Sequence, residues 1–249
     1  MGTTASLSLC KSITSVNIKY CKNKISPESQ TDKKPFKIFG VPLETLSQQQ
    51  YMHSGIPFVV QDLVEYLTNF GLEKKGLFRV SGSASKIKTL KEKFDQGEKV
   101  NLIEDGDIES AASLLKLYFR ELPTSVIPYS QHTEFLNVYQ ACNKDTDECT
   151  RKLKGLLGNL PPSHYSLFKY LCTFLLKVAS HSQSNQMTQE NLATVFGPSI
   201  FHVPFGPTIQ GQTIYNSLLL YLLRNFEILF PNSGDNPSLL QQQATNEVR

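Results

Sequence analysis

The segment Gly76-Leu77-Phe78-Arg79-Val80-Ser81-Gly82 holds the residue best suited to chemistry in this 249-residue chain. A single arginine sits among apolar residues, and a glycine closes each end. Apolar side chains can pin such a loop to a core, and glycines permit tight backbone turns. The guanidinium would then point outward with little slack. A permanently charged, planar donor held in this way suits the stabilisation of negative charge developing in another molecule's active site. Taken alone, an arginine of this kind is more often a plain solvated side chain.

Three further polar residues fall where helices would present them. Lys116 and Arg120 are four residues apart, so they share one face of a helix beside its apolar stripe. Asn191 follows Thr188 by three residues, in the first turn of a helix that Thr188 can cap. Read without context, Lys116 and Arg120 are an ordinary solvated helix edge, Arg120 could pair with Glu121, and Asn191 could simply close its turn.

The elements that must carry these residues are helical almost throughout. Val59, Val60, Leu63, Val64, Tyr66 and Leu67 form an apolar face that ends near Gly71. Ile87, Leu90 and Phe94 mark a second helix. Asp107 can cap a third, with Ala111, Ala112, Leu115, Tyr118, Phe119 and Leu122 at three/four spacing and a stop at Pro123. Helices are expected at 130–141 and 147–160. Residues 163–182 are apolar nearly all round, as in the middle of a bundle. The helix capped by Thr188 is expected to halt at Gly197-Pro198, and the last runs over about 211–230. No alternating segment is long enough for a sheet. The expected fold class is all-α, a single helical bundle over 38–232 with flexible tails at 1–37 and 233–249.

Composition narrows the function classes. The chain is 40% hydrophobic and 19% charged, with a net charge of +3. Seven lysines against Glu28 and Asp32 place +5 on residues 1–37, which leaves 38–249 at about −2. The folded part therefore lacks the basic character of a nucleic-acid-binding domain. The five cysteines are scattered, with no zinc spacing, and fit a reduced cytoplasmic setting. Cys172 reads as plain core. The five histidines form no metal-spaced pair, and no resident metal is expected.

Gly76–Gly82, Leu114–Pro123, Leu160-Pro161 and Asn191-Leu192-Ala193-Thr194-Val195-Phe196-Gly197-Pro198 occur in an order and at separations that resemble the RhoGAP domain, the GTPase-activating module for Rho-family GTPases. Ala111 to Leu117 and Phe201-His202-Val203-Pro204 look closest to the group named family with sequence similarity thirteen. The resemblance implies that Arg79 is the catalytic finger supplied in trans. It implies that Lys116 and Arg120 help form the GTPase-contacting surface, and that Asn191 contacts the GTPase and helps hold the finger region. It also implies a Rho-, Rac- or Cdc-type partner, with no cofactor of the chain's own, because GTP and magnesium belong to the GTPase. The sequence departs from the family pattern at Lys75, at Pro123-Thr124-Ser125 and at Ser199. A Rho-GTPase-binding or scaffold module of low catalytic power is the alternative.

Met1-Gly2-Thr3-Thr4-Ala5-Ser6 matches the myristoylation pattern, and Cys10 and the lysines that follow offer a second membrane signal. Peripheral membrane association through Gly2 and Cys10 is therefore an expectation, against the alternative of a chance match in a Ser/Thr-rich segment.

Overall fold

The helix over Ile108–Glu121 begins at Asp107 because its carboxylate accepts the Ser110 N–H at 2.7 Å, which satisfies one of the free amides of the first turn. The computed structural model describes residues 37–141, 146–202 and 209–231. Gly2 and Cys10 lie outside them, as do most of the two expected tails.

In chain order the described elements are α1 (Leu43–Gln48), β1 (Met52–His53), β2 (Ile56–Pro57), α2 (Phe58–Phe70), α3 (Ala84–Asp95) and α4 (Leu102–Asp105). Then come α5 (Ile108–Glu121), α6 (Tyr129–Ala141), α7 (Thr146–Gly158) and α8 (Pro162–Ser180). The last are α9 (Ser182–Asn185), α10 (Gln189–Phe201), α11 (Ile209–Arg224) and α12 (Phe226–Leu229). The all-α expectation stands. The two strands form a hairpin with two residue pairs, Met52 with Pro57 and His53 with Ile56. Ser54 and Gly55 turn it with φ of 51° and 78°. Strands of two residues are too short to show alternation.

α5 packs against α2, α3 and α10, while α10 lies along α11. Its inner stripe of Ala111, Ala112, Leu114, Leu115, Tyr118 and Phe119 is fully buried. Burial of that area is the main favourable term for the bundle, at roughly 25 cal/mol per Å² of apolar surface. One hydrophobic core runs from Ile38 and Phe39 near the start of the described chain to Leu229 and Phe230 at its end. α8 is central, touching α1, β2, α2 and α10. Cys172 is buried on it, and burial pushes its thiol well above the ordinary range. Thr173 and Lys177 still face solvent, so one edge of α8 reaches the surface.

Two helix ends differ from expectation. α10 does not stop at Gly197-Pro198 but continues to Phe201. A proline inside a helix removes one hydrogen bond and costs about 3 kcal/mol. Burial of Ile200 and Phe201 beyond it offsets that cost. Gly197 lets α11 come close: a Cβ there would overlap the side chain of Asn216. The turn ends at His202, in the left-handed region, with its Nε2 2.7 Å from the Phe119 carbonyl. The expected helix over 211–230 is interrupted at Asn225, whose side-chain amide donates to the Tyr221 carbonyl at 2.9 Å. The break lets Phe226, Leu229 and Phe230 turn into the core.

Candidate functional site

The loop over residues 71–83 joins α2 to α3 and carries Arg79. Leu77 and Phe78 are buried. The Phe78 ring meets Phe174 of α8 edge-on at 5.9 Å and Phe196 of α10 at 4.9 Å. Phe78 holds φ at +70°, a costly conformation for a residue with a Cβ, which its burial in this aromatic pocket offsets. That backbone turn drives the Phe78 ring inward while the next residue, Arg79, is exposed.

Hydrogen bonds hold the backbone on both sides of Arg79. Gly76 N–H donates to the Asn185 carbonyl at 2.7 Å, and the Gly76 carbonyl accepts from Arg79 N–H at 2.8 Å and Val80 N–H at 3.0 Å. Gly76 has φ of +72°, so here the glycine is needed for its turn. Gly82 serves differently. A Cβ at Gly82 would overlap the backbone of Ser110, so the glycine permits close approach to α5.

Lys116 reaches this loop. Its Nζ donates to the Phe78 carbonyl at 2.5 Å. Burial, and then the neighbouring Arg120 guanidinium, hold the Lys116 ammonium below the usual lysine range. Lys116 is therefore half-buried and engaged rather than a solvated helix edge. Arg120, one turn on, is exposed. It does not pair with Glu121, which accepts instead from Lys91 at 2.7 Å. Asn191 is exposed at the start of α10, and its amide donates to the Gln186 carbonyl at 3.0 Å. Asn191 N–H also meets the Thr188 hydroxyl, at a long 3.4 Å. Asn191 thus closes the turn that follows Asn185, one residue from the anchor of Gly76.

Lys116 and the Asn185–Asn191 turn meet the Arg79 loop through its backbone, whereas the Arg120 side chain has no hydrogen bond or ion pair among the described residues. Arg79 likewise has no ion pair among the described residues. The carboxylates at the start of α5 are already engaged: Asp107 pairs with Lys86 at 2.9 Å and Glu109 with Lys74 at 2.7 Å.

Two residues of this assembly escape a reading of periodicity. Asn185 is fully buried. Its Nδ2 donates to the Leu72 and Val178 carbonyls at 2.8 Å each, and its Oδ1 accepts from Met187 N–H at 2.7 Å. Ser113 accepts from Gly82 N–H at 3.0 Å. Nothing in the sequence marks Asn185 as buried. Ser113 is three residues before Lys116, and that spacing was a usable signal. Of the unusual positions, Ser199 and Ser125 are buried, and the Ser125 hydroxyl donates to the Ile127 carbonyl at 2.6 Å. Lys75 and Thr124 are exposed.

No group of three or more His, Cys, Asp or Glu side chains among the described residues could hold a metal ion. No helix among them is long and apolar enough to cross a membrane.

Residues 57–205 match the family model described as the RhoGAP domain. The chain is similar to Rho GTPase-activating protein 24 of Homo sapiens, 35% identical over 214 residues, covering 84% of this chain and 29% of the relative. It is also similar to Rho GTPase-activating protein gacY of Dictyostelium discoideum, 36% identical over 211 residues, covering 84% of this chain and 29% of the relative. This chain thus spans under a third of the length of these relatives. The crystal structure of human Rho GTPase activating protein 15 superposes with a TM-score of 0.73 at 28% identity, covering 79% of this chain and 93% of that one. With its residues 57–205 matched and these relatives alongside, the chain belongs to the RhoGAP domain family.

Proposed function

We propose that this chain stimulates GTP hydrolysis by a Rho-family small GTPase, with Arg79 entering the partner's active site as an arginine finger. The observation that carries the reading is an exposed guanidinium, without an ion pair among the described residues, on a loop held by hydrogen bonds at Gly76 and Phe78. The relatives named Rho GTPase-activating protein support the choice of partner class.

During hydrolysis negative charge moves toward the β–γ bridging oxygen of GTP. GTP, Mg²⁺ and the attacking water belong to the GTPase. Arg79 supplies a guanidinium that needs no proton transfer and whose backbone is already ordered, so little reorganisation is required as the charge develops. Lys116 supports Arg79 through the Phe78 carbonyl. Arg120 and Asn191, both exposed, are assigned to the surface that meets the GTPase. The lysines of residues 1–37, with Gly2 and Cys10, are assigned to a membrane surface. Incorporation of a myristate analogue by wild type and not by Gly2→Ala is the expected result, and absence of label on wild type refutes it.

Single-turnover hydrolysis by Rho-, Rac- and Cdc-type GTPases, with wild type and Arg79→Ala, tests the central reading. Acceleration by wild type that the variant loses is expected. Binding without acceleration by wild type would make the chain a scaffold module, and equal acceleration by Arg79→Ala would remove Arg79 from the reaction.

A further inference from the structure

We propose that Ser113 is a positioning residue for Arg79, an inference that rests on the GTPase-activating reading above. Lys116 and Ser113 lie three residues apart on α5 and take hold of the same loop at different points. Lys116 binds the Phe78 carbonyl, immediately before Arg79. Ser113 accepts the Gly82 N–H, three residues after it. One face of a buried-stripe helix therefore grips the backbone on both sides of the finger.

The grip at Gly82 is close. Gly82 lies against the backbone of Ser110, where any Cβ would overlap. The three residues between the two anchors, Arg79, Val80 and Ser81, are all exposed. The Gly82–Ser113 bond is thus the first side-chain anchor that the loop meets after Arg79. Without the Ser113 hydroxyl, the outgoing arm would keep its contact with α5 but lose the directional bond that fixes where along the helix Gly82 sits. A finger attached to a sliding arm reaches the developing charge with a poorer mean geometry, and misplacement on the ångström scale is enough to slow a positioned reaction substantially.

The role differs from that of Arg79 itself. Ser113 is half-buried and works through the loop backbone. Its removal should therefore lower the rate within the complex more than it lowers affinity. Alanine suits a helix interior, so Ser113→Ala is expected to fold. Threonine keeps the hydroxyl acceptor.

The test is single-turnover GTP hydrolysis across a titration of the chain, with wild type, Ser113→Ala, Ser113→Thr and Arg79→Ala in parallel, and a thermal melt of each. The expected result for Ser113→Ala is a maximal rate roughly tenfold lower, with a half-saturating concentration close to wild type and a near-wild-type melt. Ser113→Thr is expected to recover most of that rate. A Ser113→Ala maximal rate equal to wild type, or a loss that Ser113→Thr does not recover, overturns the positioning role. So does a rate loss that simply follows the melting temperature. If wild type accelerates no GTPase, or Arg79→Ala matches wild type, the finger reading itself fails and the positioning role goes with it.

Discussion

Lys116 Nζ lies 2.5 Å from the carbonyl oxygen of Phe78, so the cation on α5 is spent on the backbone immediately before Arg79. The Arg79 loop is thereby tied to the helix that also carries Arg120. Lys116→Met should keep most of the packing of the aliphatic stem while deleting this bond and its charge. The expected outcome is a maximal single-turnover rate lower by roughly ten- to a hundredfold, with a smaller change in affinity. Arg120→Ala should do the reverse, because Arg120 is exposed. It should weaken GTPase binding and its dependence on ionic strength, with little effect on the rate at saturation. Titrations at two salt concentrations separate the two outcomes.

Arg79→Ala should abolish most of the acceleration, a loss on the order of 10³–10⁵ in rate. Arg79→Lys should be nearly as damaging, because an ammonium keeps the charge but not the planar fork. Neither should change unfolding free energy by more than about 0.5 kcal/mol, since the side chain is exposed and has no ion pair among the described residues. Denaturant titration beside the rate assay checks both halves.

Gly82→Ala should reduce both stability and rate. The new Cβ would overlap the Ser110 backbone, so the loop must lift from α5, at an expected cost of about 1–3 kcal/mol. At Gly76 the obstacle is conformational, with φ at +72° and Val80 Cγ2 3.2 Å from an added Cβ. Gly76→Ala should cost about 1 kcal/mol. Urea midpoints of the two variants measure the difference.

Asn185→Ala strands the Leu72 carbonyl and the Met187 N–H inside the protein and takes from the Val178 carbonyl one of the two bonds it accepts, leaving the one from His181 N–H. A loss of roughly 2–4 kcal/mol is expected, large beside an exposed substitution. Because the Asn185 carbonyl also anchors Gly76, faster amide exchange at Gly76 should accompany the loss. Amide exchange followed by NMR reads this directly.

Acid should loosen the α3–α5 region. The Lys93 hydrogen bond, and then that from Asn101 N–H, hold the Asp105 carboxyl low. For Asp107, burial pushes upward but is outweighed by the hydrogen bonds from Lys86 and Ser110. The hydrogen bond from Lys74 leads the lowering of Glu109. Each folded-state pKa lies below its unfolded value, so the contribution to stability is complete above the unfolded values, near pH 4–4.5, and is lost as pH falls through the lower folded ones. The unfolding midpoint should therefore decline from about pH 4.5 downward. Lys93→Met should flatten part of that decline.

Periodicity alone made the helical architecture legible, because a 3.6-residue repeat of Leu, Phe and Ala has one way to bury its stripe. The caps at Asp107 and Thr188 were equally legible, since capping is a local interaction. The loop glycines, Arg79 and the shared face of Lys116 and Arg120 could also be read from residue types and spacing. What the chain does at long range could not. That Phe78 adopts a left-handed turn, that Lys116 spends its charge on the Phe78 carbonyl, and that α10 runs through Pro198 each depend on partners far away in sequence. So does the use of Gly82, which was expected to serve a turn and instead lets the loop lie against Ser110. Asn185 is the clearest case: a polar residue flanked by Ser184 and Gln186 carries no mark of burial until α8, the Leu72 carbonyl and Gly76 close around it. Local sequence determined which side chains were available. Only the tertiary packing decided which of them remain free to meet a partner, because hydrogen bonds and burial between distant segments commit some polar groups and leave Arg79 exposed.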